Sequence, residues 1–552
     1  MKDYREAIAF PVLDARHMDR LKKMGVSCEF SDGELLFAEG DRGFDFFIVE
    51  EGEVEILEHS AGSASTITIH EAGEFTGDVD MLTGRSSLVT ARARGTTRVT
   101  RMSADNVKKI VADEPELGNI ILRGFLTRRA LLLDQGFTGL RIVGSRYSRD
   151  TVRLTQFVAR NGIPHTWIDV EDDAAAAEIL EQLGVSVEEI PVVITGSGEV
   201  LRRPTIAALA DTMGLATPTH RSTTTDLLII GAGPAGLAAS VYGASEGLQT
   251  VVLEAHHIGG QAGGSTRIEN YLGFPTGISG ADLTDKALLQ AQRFGAQISV
   301  PMRAVGLRVE PGRKVVLLEN GSSMEARALI VATGADYRRP DIPGLEELEG
   351  VGVFYAASEM EARICAGSQA VIVGGGNSAG QAAVFLASRL SKVLIVIRGD
   401  DLHKSMSSYL VDRIEQTANI ELRTQSNVIG LGGEKTLESV TVRHRRSGEE
   451  TTEQAAGLFL FIGAVPRTEW LSGQVETDER GFLLTGNQLS TGKTSPPEAF
   501  QSLGRSPHLL ETSVPGIFAV GDVRSQSVKR VASAVGEGSM AVSFVHQYLA
   551  RG

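Results

Sequence analysis

A glycine-rich turn between an apolar run and a helix-like segment is the most restrictive feature of this 552-residue sequence. Gly231, Gly233 and Gly236 follow the run 226–230 in GxGxxG spacing, and Glu254 ends the next apolar run, 23 positions after Gly231. These glycines permit a tight turn close to a pyrophosphate, which N–H groups at the helix start can bind. The Glu254 carboxylate suits a ribose hydroxyl, so the pattern predicts a parallel α/β unit that binds a dinucleotide.

A second turn of the same kind lies further along the chain. Gly374, Gly376, Asn377 and Ser378 follow another apolar run, and Arg398 stands where the first unit has its acid. A cation at this position suits a 2′-phosphate, which favours NADPH over NADH. The two acidic residues shortly after Arg398 would oppose a phosphate, so NADH stays an alternative.

Two further strand ends indicate a flavin. Thr333 and Gly334 end an apolar run in a small-residue turn, and Gly521 and Asp522 end another. The Asp522 carboxylate could hold a ribityl hydroxyl. A helix that begins near Val531 could direct its N–H groups at the pyrimidine edge of a flavin, where negative charge grows on reduction.

Residues 225–552 resemble the low-molecular-weight thioredoxin reductase family of flavoproteins in the order and type of these motifs. The resemblance implies two doubly wound α/β domains, with an FAD domain split around an inserted NAD(P)H domain, and a homodimer. By this resemblance FAD contacts Gly231, Gly233, Gly236, Glu254, Gln261, Asn270, Thr333 and Asp522, and the nicotinamide cofactor contacts Gly374, Gly376, Ser378 and Arg398. FAD and NADPH are thus the expected cofactors.

The redox CxxC of that family has no counterpart here. Ala356 and Glu359 occupy its two positions, and the two cysteines of the chain are Cys28 and Cys365. Without a thiolate there is no dithiol relay, so no catalytic residue is assigned. Glu359 either faces the flavin region and tunes it, or is a solvated helix charge. Cys365 is expected on the next strand, as a buried small hydrophobe.

The N-terminal region resembles cyclic-nucleotide-binding domains, because short strands with glycine turns precede helical periodicity. In that family a Glu binds the ribose and an Arg binds the cyclic phosphate. Here Asp78 replaces the Glu and Ser87 the Arg, which makes cyclic-nucleotide binding doubtful unless Arg85 substitutes. We favour a degenerate cyclic-nucleotide-binding domain that serves for contacts or for another ligand.

A middle segment resembles the thioredoxin or glutaredoxin fold, and it also lacks thiols. Pro191 fits the cis-proline of that fold, and residues 145–148 replace its CxxC. The fold class expected for the whole chain is therefore multidomain: a β-roll with helices, a small thioredoxin-like α/β domain, then two doubly wound α/β nucleotide-binding domains. The expected boundaries are 1–135 for the β-roll and helices, 139–215 for the thioredoxin-like domain, 216–225 for a linker, 226–338 and 466–552 for the FAD domain, and 339–465 for the NAD(P)H domain.

Composition excludes several other classes of protein. The net charge of −15 disfavours nucleic acid and anionic membrane partners, and two cysteines cannot build a disulfide framework or a thiolate metal cage. The start of the chain lacks the layout of a signal peptide, and no apolar run reaches membrane length. The sequence therefore predicts a cytoplasmic protein without a metal site.

Three functions are compatible with these features. The first is an FAD enzyme that oxidises NAD(P)H and passes electrons to a small-molecule or small-protein acceptor outside the chain. The second is a thioredoxin-disulfide reductase whose thiols come from a partner or from Cys365. The third is a flavin- and nucleotide-binding sensor or scaffold that signals through the N-terminal domains.

Overall fold

The computed structural model describes residues 4–60, 63–134, 139–171, 174–196, 198–215, 224–265, 267–310, 312–490 and 498–550. Residues 216–223 of the expected linker lie outside these ranges, and the next strand begins at Thr225. Within them, no helix is both long and apolar enough to cross a bilayer. No group of three or more His, Cys, Asp or Glu side chains in the same ranges could hold a metal ion.

The N-terminal unit is an antiparallel β-roll with helices packed against it. Its strands are β1 (Val26–Phe30), β2 (Leu35–Phe37), β3 (Phe46–Ser60), β4 (Ser63–His70) and β5 (Thr90–Met102), and its helices are α1 (Tyr4–Ala9), α2 (Ala15–Lys22), α3 (Val79–Thr83), α4 (Ala104–Asp113) and α5 (Pro115–Asp134). Strand β5 pairs with β1, β2 and β3, and β4 pairs with β3. The buried rings of Phe46, Phe75 and Phe125 contact one another, which fixes α5 against the roll.

The middle unit is a βαβ unit with an antiparallel edge. It contains β6 (Leu140–Gly144), α6 (Arg149–Arg160), β7 (His165–Asp169), α7 (Ala174–Gln182), β8 (Val192–Ile194), β9 (Val200–Arg202) and α8 (Ile206–Thr212). Strand β6 is parallel to β7 and antiparallel to β8, and β9 extends the sheet beyond β8. The Ile190–Pro191 peptide bond, directly before β8, is cis.

A larger doubly wound sheet begins after the middle unit. Its first segment contains β10 (Thr225–Ile230), α9 (Pro234–Ser245), β11 (Thr250–Leu253), α10 (Gly260–Gly263), α11 (Gly280–Arg293), β12 (Gln297–Ser299), β13 (Ala304–Glu310), β14 (Arg313–Leu318) and β15 (Ser323–Val331). Strands β12, β11, β10 and β15 are parallel in that order, and β14 and β13 continue the sheet antiparallel. The stretches 227–230, 251–253 and 328–331 of the parallel strands are wholly apolar, as expected for a sheet covered on both faces.

A second doubly wound unit is inserted after β15. It contains β16 (Ala335–Tyr337), β17 (Val353–Phe354), α12 (Glu359–Ile364), β18 (Gln369–Val373), α13 (Asn377–Ala387), β19 (Lys392–Val396), α14 (Ser408–Glu415), β20 (Ile420–Arg423), β21 (Ser426–Gly432), β22 (Ser439–His444), β23 (Glu450–Gln454), β24 (Gly457–Leu460) and β25 (Ala464–Pro466). Strands β17, β24, β18, β19 and β20 form a parallel sheet, and β21–β23 form an antiparallel one. The chain enters and leaves through the antiparallel pair β16 and β25.

The chain then returns to the first large sheet. This last segment contains α15 (Glu498–Gln501), β26 (Ile517–Ala519) and α16 (Val531–Leu549). Strand β26 adds parallel to β15, and α16 packs along α9. A Cβ at Gly538 would clash with the carbonyl of Ala235, so the two helices approach closely because this residue is a glycine.

Helix α6 of the middle unit contacts both large units. Its Gln156 amide donates to Glu361 of α12 over 3.4 Å. At the C-terminus of α6, the Asn161 side-chain oxygen accepts the Ile258 N–H over 3.3 Å. The middle unit therefore braces the junction between the two doubly wound units.

Candidate active site

Four strands of the first large sheet end at the same edge. Ile230 of β10 pairs with Val331 of β15 and with Leu253 of β11, and Val331 pairs with Ala519 of β26. The residues that follow these strands are therefore neighbours, although they come from four distant parts of the chain. In open α/β sheets, ligands bind at this carboxyl edge.

At Gly231 and Gly236, the first glycine turn leaves no room for a side chain. Gly231 has φ 108°, and a Cβ there would clash with the carbonyl of Ala332. A Cβ at Gly236 would clash with the carbonyl of Gly231. Gly233 is the N-cap of α9 and has no side chain to bond the first N–H groups of that helix. These N–H groups and the positive end of α9 therefore face the carboxyl edge of the sheet, where a pyrophosphate would be bound.

Glu254 supports this turn from the neighbouring strand. It is buried, and its Oε2 accepts the Ala232 N–H over 2.7 Å. Its Oε1 accepts the His256 N–H over 2.8 Å. A carboxylate has room for further hydrogen bonds after accepting two, so Glu254 can also accept from a ribose hydroxyl.

The other residues expected around FAD lie on the loops beside this edge. The Gln261 side-chain amide donates to the carbonyl of Ala335, and the Thr333 hydroxyl donates to that of Arg467 over 2.9 Å. Gly334 has φ 67°, which turns the chain towards β16. Asn270 lies exposed, two residues after the bridge that Ile268 forms with Ile278.

Gly521 and Asp522 follow β26 on the same side. Gly521 has φ 72°, and its N–H donates to Glu537 of α16 over 2.7 Å. Burial raises the pKa of Asp522, and no hydrogen bond from a described residue reaches its carboxylate. Val531 is the first residue of α16. Asp522 is thus an available acceptor near the start of that helix. The bond between Glu537 and the Gly521 N–H was not predicted from the sequence, because no local pattern connects the two residues, which are 16 positions apart.

The second glycine turn has the same construction. Gly374 has φ 144°, and a Cβ there would clash with the carbonyl of Phe461. Gly376 is the N-cap of α13, and Ser378 lies exposed in its first turn. The Asn377 side-chain oxygen accepts the Ser407 N–H over 2.7 Å, so Asn377 holds a neighbouring loop.

Arg398 lies exposed after β19, and a basic hairpin that the sequence analysis missed lies beside it. The Arg445 side chain donates to the Arg398 carbonyl over 3.4 Å. Arg446 and Lys404 lie 3.8 and 3.7 Å from Asp400 and offset its negative charge. The two adjacent arginines between β22 and β23, Arg445 and Arg446, are the sequence signal that could have indicated this basic hairpin.

A cavity of about 300 Å³ lies where the two doubly wound units meet. Its walls include Gln261 and Arg267 from the first unit and Ala356, Ala357 and Ser378 from the inserted one. Its lining contains no cysteine. The first of the two positions expected for the family thiols therefore lies in this cavity, and it carries a methyl group.

Glu359 does not face this cavity. It begins α12, is half exposed, and accepts from the Arg389 guanidinium over 2.9 Å. This ion pair lowers the pKa of Glu359. The alternative of a solvated helix charge is therefore the one that the structure supports, because Arg389, 30 residues away, turns the carboxylate outward.

Cys365 lies at the C-terminus of α12, so the expectation that it lies on a strand was wrong. The helix extends up to it because the Ser358–Glu361 capping box starts α12 well before the next strand. Cys365 is fully buried, as expected of a small hydrophobe. Burial and the nearby Glu361 carboxylate raise the pKa of its thiol to about 12.

The N-terminal β-roll encloses a second cavity, of about 230 Å³. Asp78 and Ser87 line it, but Arg85 does not, so Arg85 is misplaced for the phosphate-binding role considered above. Arg85 instead lies near Asp285 of α11, where its positive charge opposes the effect of burial, which raises the pKa of Asp285. Helix α3, which precedes Arg85, contacts α11 as well.

Residues 225–538 match the family model described as pyridine nucleotide-disulphide oxidoreductase. Residues 27–114 match the model of the cyclic nucleotide-binding domain. These two matches coincide with the doubly wound units and with the β-roll, respectively.

The chain is similar to several known proteins over its C-terminal part. It is 34% identical over 326 residues to a thioredoxin reductase of Streptomyces clavuligerus, which covers 59% of this chain and 94% of that protein. It is 32% identical over 324 residues to a 34.2 kDa protein in the rubredoxin operon of Clostridium pasteurianum, covering 59% of this chain and 97% of that protein. The crystal structure of Lactococcus lactis thioredoxin reductase superimposes with a TM-score of 0.53 at 28% identity, over 60% of this chain and all of that one.

Proposed function

Because the chain belongs to the pyridine nucleotide-disulphide oxidoreductase family, we propose that it oxidises NADPH and passes the electrons to an acceptor outside the chain. It is a thioredoxin reductase-like, FAD-dependent NAD(P)H oxidoreductase. Thioredoxin reductases use FAD and NADPH, which confirms the two cofactors expected from the sequence. The nature of the acceptor, the residues that bind the cofactors and a homodimeric state are parts of the proposal.

The first glycine turn fits FAD. Gly231 and Gly236 let the turn pack tightly on neighbouring backbone, and at Gly233, before α9, a Cβ would meet only the Gly260 Cα, at 4.0 Å. Glu254 is a buried acceptor beside this turn, and Asp522 is an acceptor that no described residue bonds. Gly233, Gln261, Asn270, Thr333, Gly334, Gly521 and Val531 complete the proposed FAD site. When bound, FAD would take a hydride from the reduced nicotinamide and release the electrons to the acceptor.

The second glycine turn is proposed to hold NADPH. Gly374, Gly376, Asn377 and Ser378 surround the start of α13, whose N–H groups favour a pyrophosphate. Arg398 is the proposed partner of the 2′-phosphate. The structure supports this choice in part, because Arg446 and Lys404 offset Asp400, one of the two acidic residues that follow Arg398.

The cavity between the two doubly wound units is the main reason for proposing an electron acceptor outside the chain. Ala356 and Ala357 stand in its wall, and neither can form a disulfide. The middle unit also contains no cysteine. We propose that it is a thioredoxin-like domain whose contacts hold the two doubly wound units together. Electrons therefore leave without a resident dithiol, for a small carrier protein, a quinone, a dye or oxygen.

The anaerobic addition of NADPH to the purified protein tests this function. We expect a yellow protein with about one FAD per chain, whose absorbance bleaches with NADPH and recovers when a dye or quinone is added. A colourless protein that cannot be reconstituted with FAD would contradict the proposal for the whole C-terminal region. A flavin that NADPH does not bleach would instead favour a binding or sensing role.

A flavin-bearing sensor is the second candidate, and one set of contacts favours it. Arg129 of α5 donates to Asp80 of α3 over 3.0 Å and to the Gly162 carbonyl, after α6, over 2.9 Å. Helix α3 also contacts α11 of the first doubly wound unit. This candidate predicts that a ligand in the β-roll changes the rate of flavin reduction, which stopped-flow absorbance would measure.

Replacing Arg398 with alanine is expected to raise the KM for NADPH about tenfold while the KM for NADH stays nearly unchanged. The 2′-phosphate, absent from NADH, would lose a charge-assisted hydrogen bond. Steady-state dye reduction with both cofactors measures this change. Arg443→Ala is the matched control, because Arg443 is half exposed and pairs with Glu450 on the nearby hairpin. Equal effects on the two cofactors would exclude Arg398 from the phosphate site.

A further inference from the structure

The cavity of the N-terminal β-roll is small and mainly apolar. Its apolar lining comes from several strands and helices and includes Phe37, Phe44, Ile56, Ile67, Val89 and Leu132. Ligand pockets in proteins commonly measure about 300–1,000 Å³, so a cavity of about 230 Å³ accommodates a compact molecule. Apolar walls of this kind favour a molecule whose surface is itself apolar.

The arginine in this cavity wall is already occupied. Arg128 of α5 is 6% exposed, and each of its three guanidinium nitrogens donates to a backbone carbonyl. The acceptors are Ala9, Phe75 and Gly77, at 2.7, 2.9 and 2.7 Å. The guanidinium also lies 4.7 Å from the centre of the Phe75 ring. Arg128 therefore links α1 and the roll to α5, and only two of its five N–H groups are not used in these three bonds.

The polar part of the wall also contains two acidic side chains, Asp78 and Glu6. Asp78 is 8% exposed, and its carboxylate accepts the Asp80 N–H over 2.9 Å. Burial and the neighbouring Asp80 raise the pKa of Asp78. The Ser87 hydroxyl donates to the Val89 carbonyl over 2.8 Å, so its proton is not free for a ligand. A phosphate here would meet Asp78 and Glu6, while three of the five Arg128 N–H groups already bond carbonyls and His70 pairs with Glu74, so its burial would be unfavourable.

We propose that this cavity binds an uncharged, compact, mainly apolar molecule with one hydroxyl-type group, which Asp78 binds. A hydroxyl suits Asp78 in both protonation states, because it can donate to a carboxylate and accept from a carboxyl group. The apolar remainder of the molecule would contact the six apolar side chains named above. This ligand class differs from a cyclic nucleotide in charge and in polarity.

Calorimetry on the full FAD-loaded protein tests the proposal with two matched probes. 1-Naphthol and 1-naphthyl phosphate share one ring system, and only the phosphate is strongly anionic. NADP⁺ is present at saturation to occupy the pyridine nucleotide site. We expect 1-naphthol to bind at least about tenfold more tightly than 1-naphthyl phosphate. Equal or tighter binding of the phosphate, or no saturable binding of 1-naphthol up to its solubility limit, would overturn the proposal.

Two tryptophan variants locate the binding. Val89→Trp fills the cavity and is expected to abolish 1-naphthol binding while the flavin spectrum and NADPH-driven dye reduction are kept. Val26→Trp is the matched control, because Val26 is 68% exposed on β1 of the same roll. Equal 1-naphthol binding by the two variants would place the ligand elsewhere. Because Val89→Trp could disturb the roll, Asp78→Asn gives a second test: without the carboxylate, the preference for 1-naphthol over its phosphate is expected to shrink.

Cyclic AMP and cyclic GMP are expected to bind weakly or not at all. Ser87 carries no charge, and Arg128 already uses three of its five N–H groups on backbone carbonyls, so a cyclic phosphate would lack a fully available arginine. Calorimetry with each nucleotide, and competition against bound 1-naphthol, measures this. A micromolar or tighter complex that displaces 1-naphthol would contradict both the weak binding and the proposed ligand class.

Discussion

Replacing Glu254 with alanine is expected to raise the dissociation constant for FAD about 10- to 150-fold, so that the protein loses most of its flavin during purification. The buried carboxylate accepts the N–H groups of Ala232 and His256 and, in the proposed site, the ribose hydroxyls. Alanine removes an acceptor from all of these donors, and one of them, the Ala232 N–H, belongs to the turn proposed to bind the pyrophosphate. Flavin absorbance per chain, and titration of the apoprotein with FAD, measure the change.

Two further variants separate binding from folding. Glu254→Gln keeps one acceptor oxygen and the side-chain volume, and an intermediate affinity is expected. Glu319→Ala, at a surface glutamate that is 69% exposed in the turn after β14, is expected to bind FAD normally. Circular dichroism of the apoproteins checks that the fold is kept. A Glu254→Ala protein with a full flavin complement and unchanged affinity would exclude the proposed ribose contact.

The parts of the site that the sequence predicted are those with local constraints. A turn that approaches another backbone as closely as Gly231 approaches Ala332 admits only glycine, and it must directly follow a buried strand. Glu254 could be placed for the same reason, since a parallel βαβ unit fixes the distance between its two strand ends. The comparisons confirm the resulting two-domain α/β fold and the β-rich N-terminal domain.

The parts that could not be predicted depend on partners that are distant in sequence. Glu359 turns outward because it meets Arg389 on another element, and a solvated or a flavin-facing carboxylate has the same local sequence. Arg445 reaches the Arg398 loop only because the β22–β23 hairpin folds back over it. The carbonyl partners of Arg128 come from two other parts of the chain, residue 9 and residues 75–77, which no local pattern around Arg128 indicates.

Thioredoxin-coupled reduction of insulin with NADPH is expected to stay at background in this protein, while dye reduction proceeds. Disulfide exchange requires a thiolate, and burial raises the pKa of Cys365 to about 12, so its thiolate fraction at neutral pH is about one in 100,000. The thiol is fully buried and is not part of the lining of the cavity between the two doubly wound units. Reduced flavin therefore cannot pass electrons to Cys365, and the other thiol, Cys28, lies on β1 of the N-terminal roll, outside the doubly wound units.

Variants of Cys365 and Cys28 test whether a thiol of this chain takes part in disulfide reduction. Cys365→Ser is expected to match the wild type in flavin bleaching and dye reduction, and Cys28→Ser is the matched control at a partly exposed thiol. Since a buried hydroxyl could lower stability, Cys365→Ala is compared as a variant without that polar group. Strong insulin reduction by the wild type that disappears in both Cys365 variants, but not in Cys28→Ser, would establish a thioredoxin-disulfide reductase. If it persisted in every variant, the thiols would have to come from the partner, because the chain contains no other cysteine.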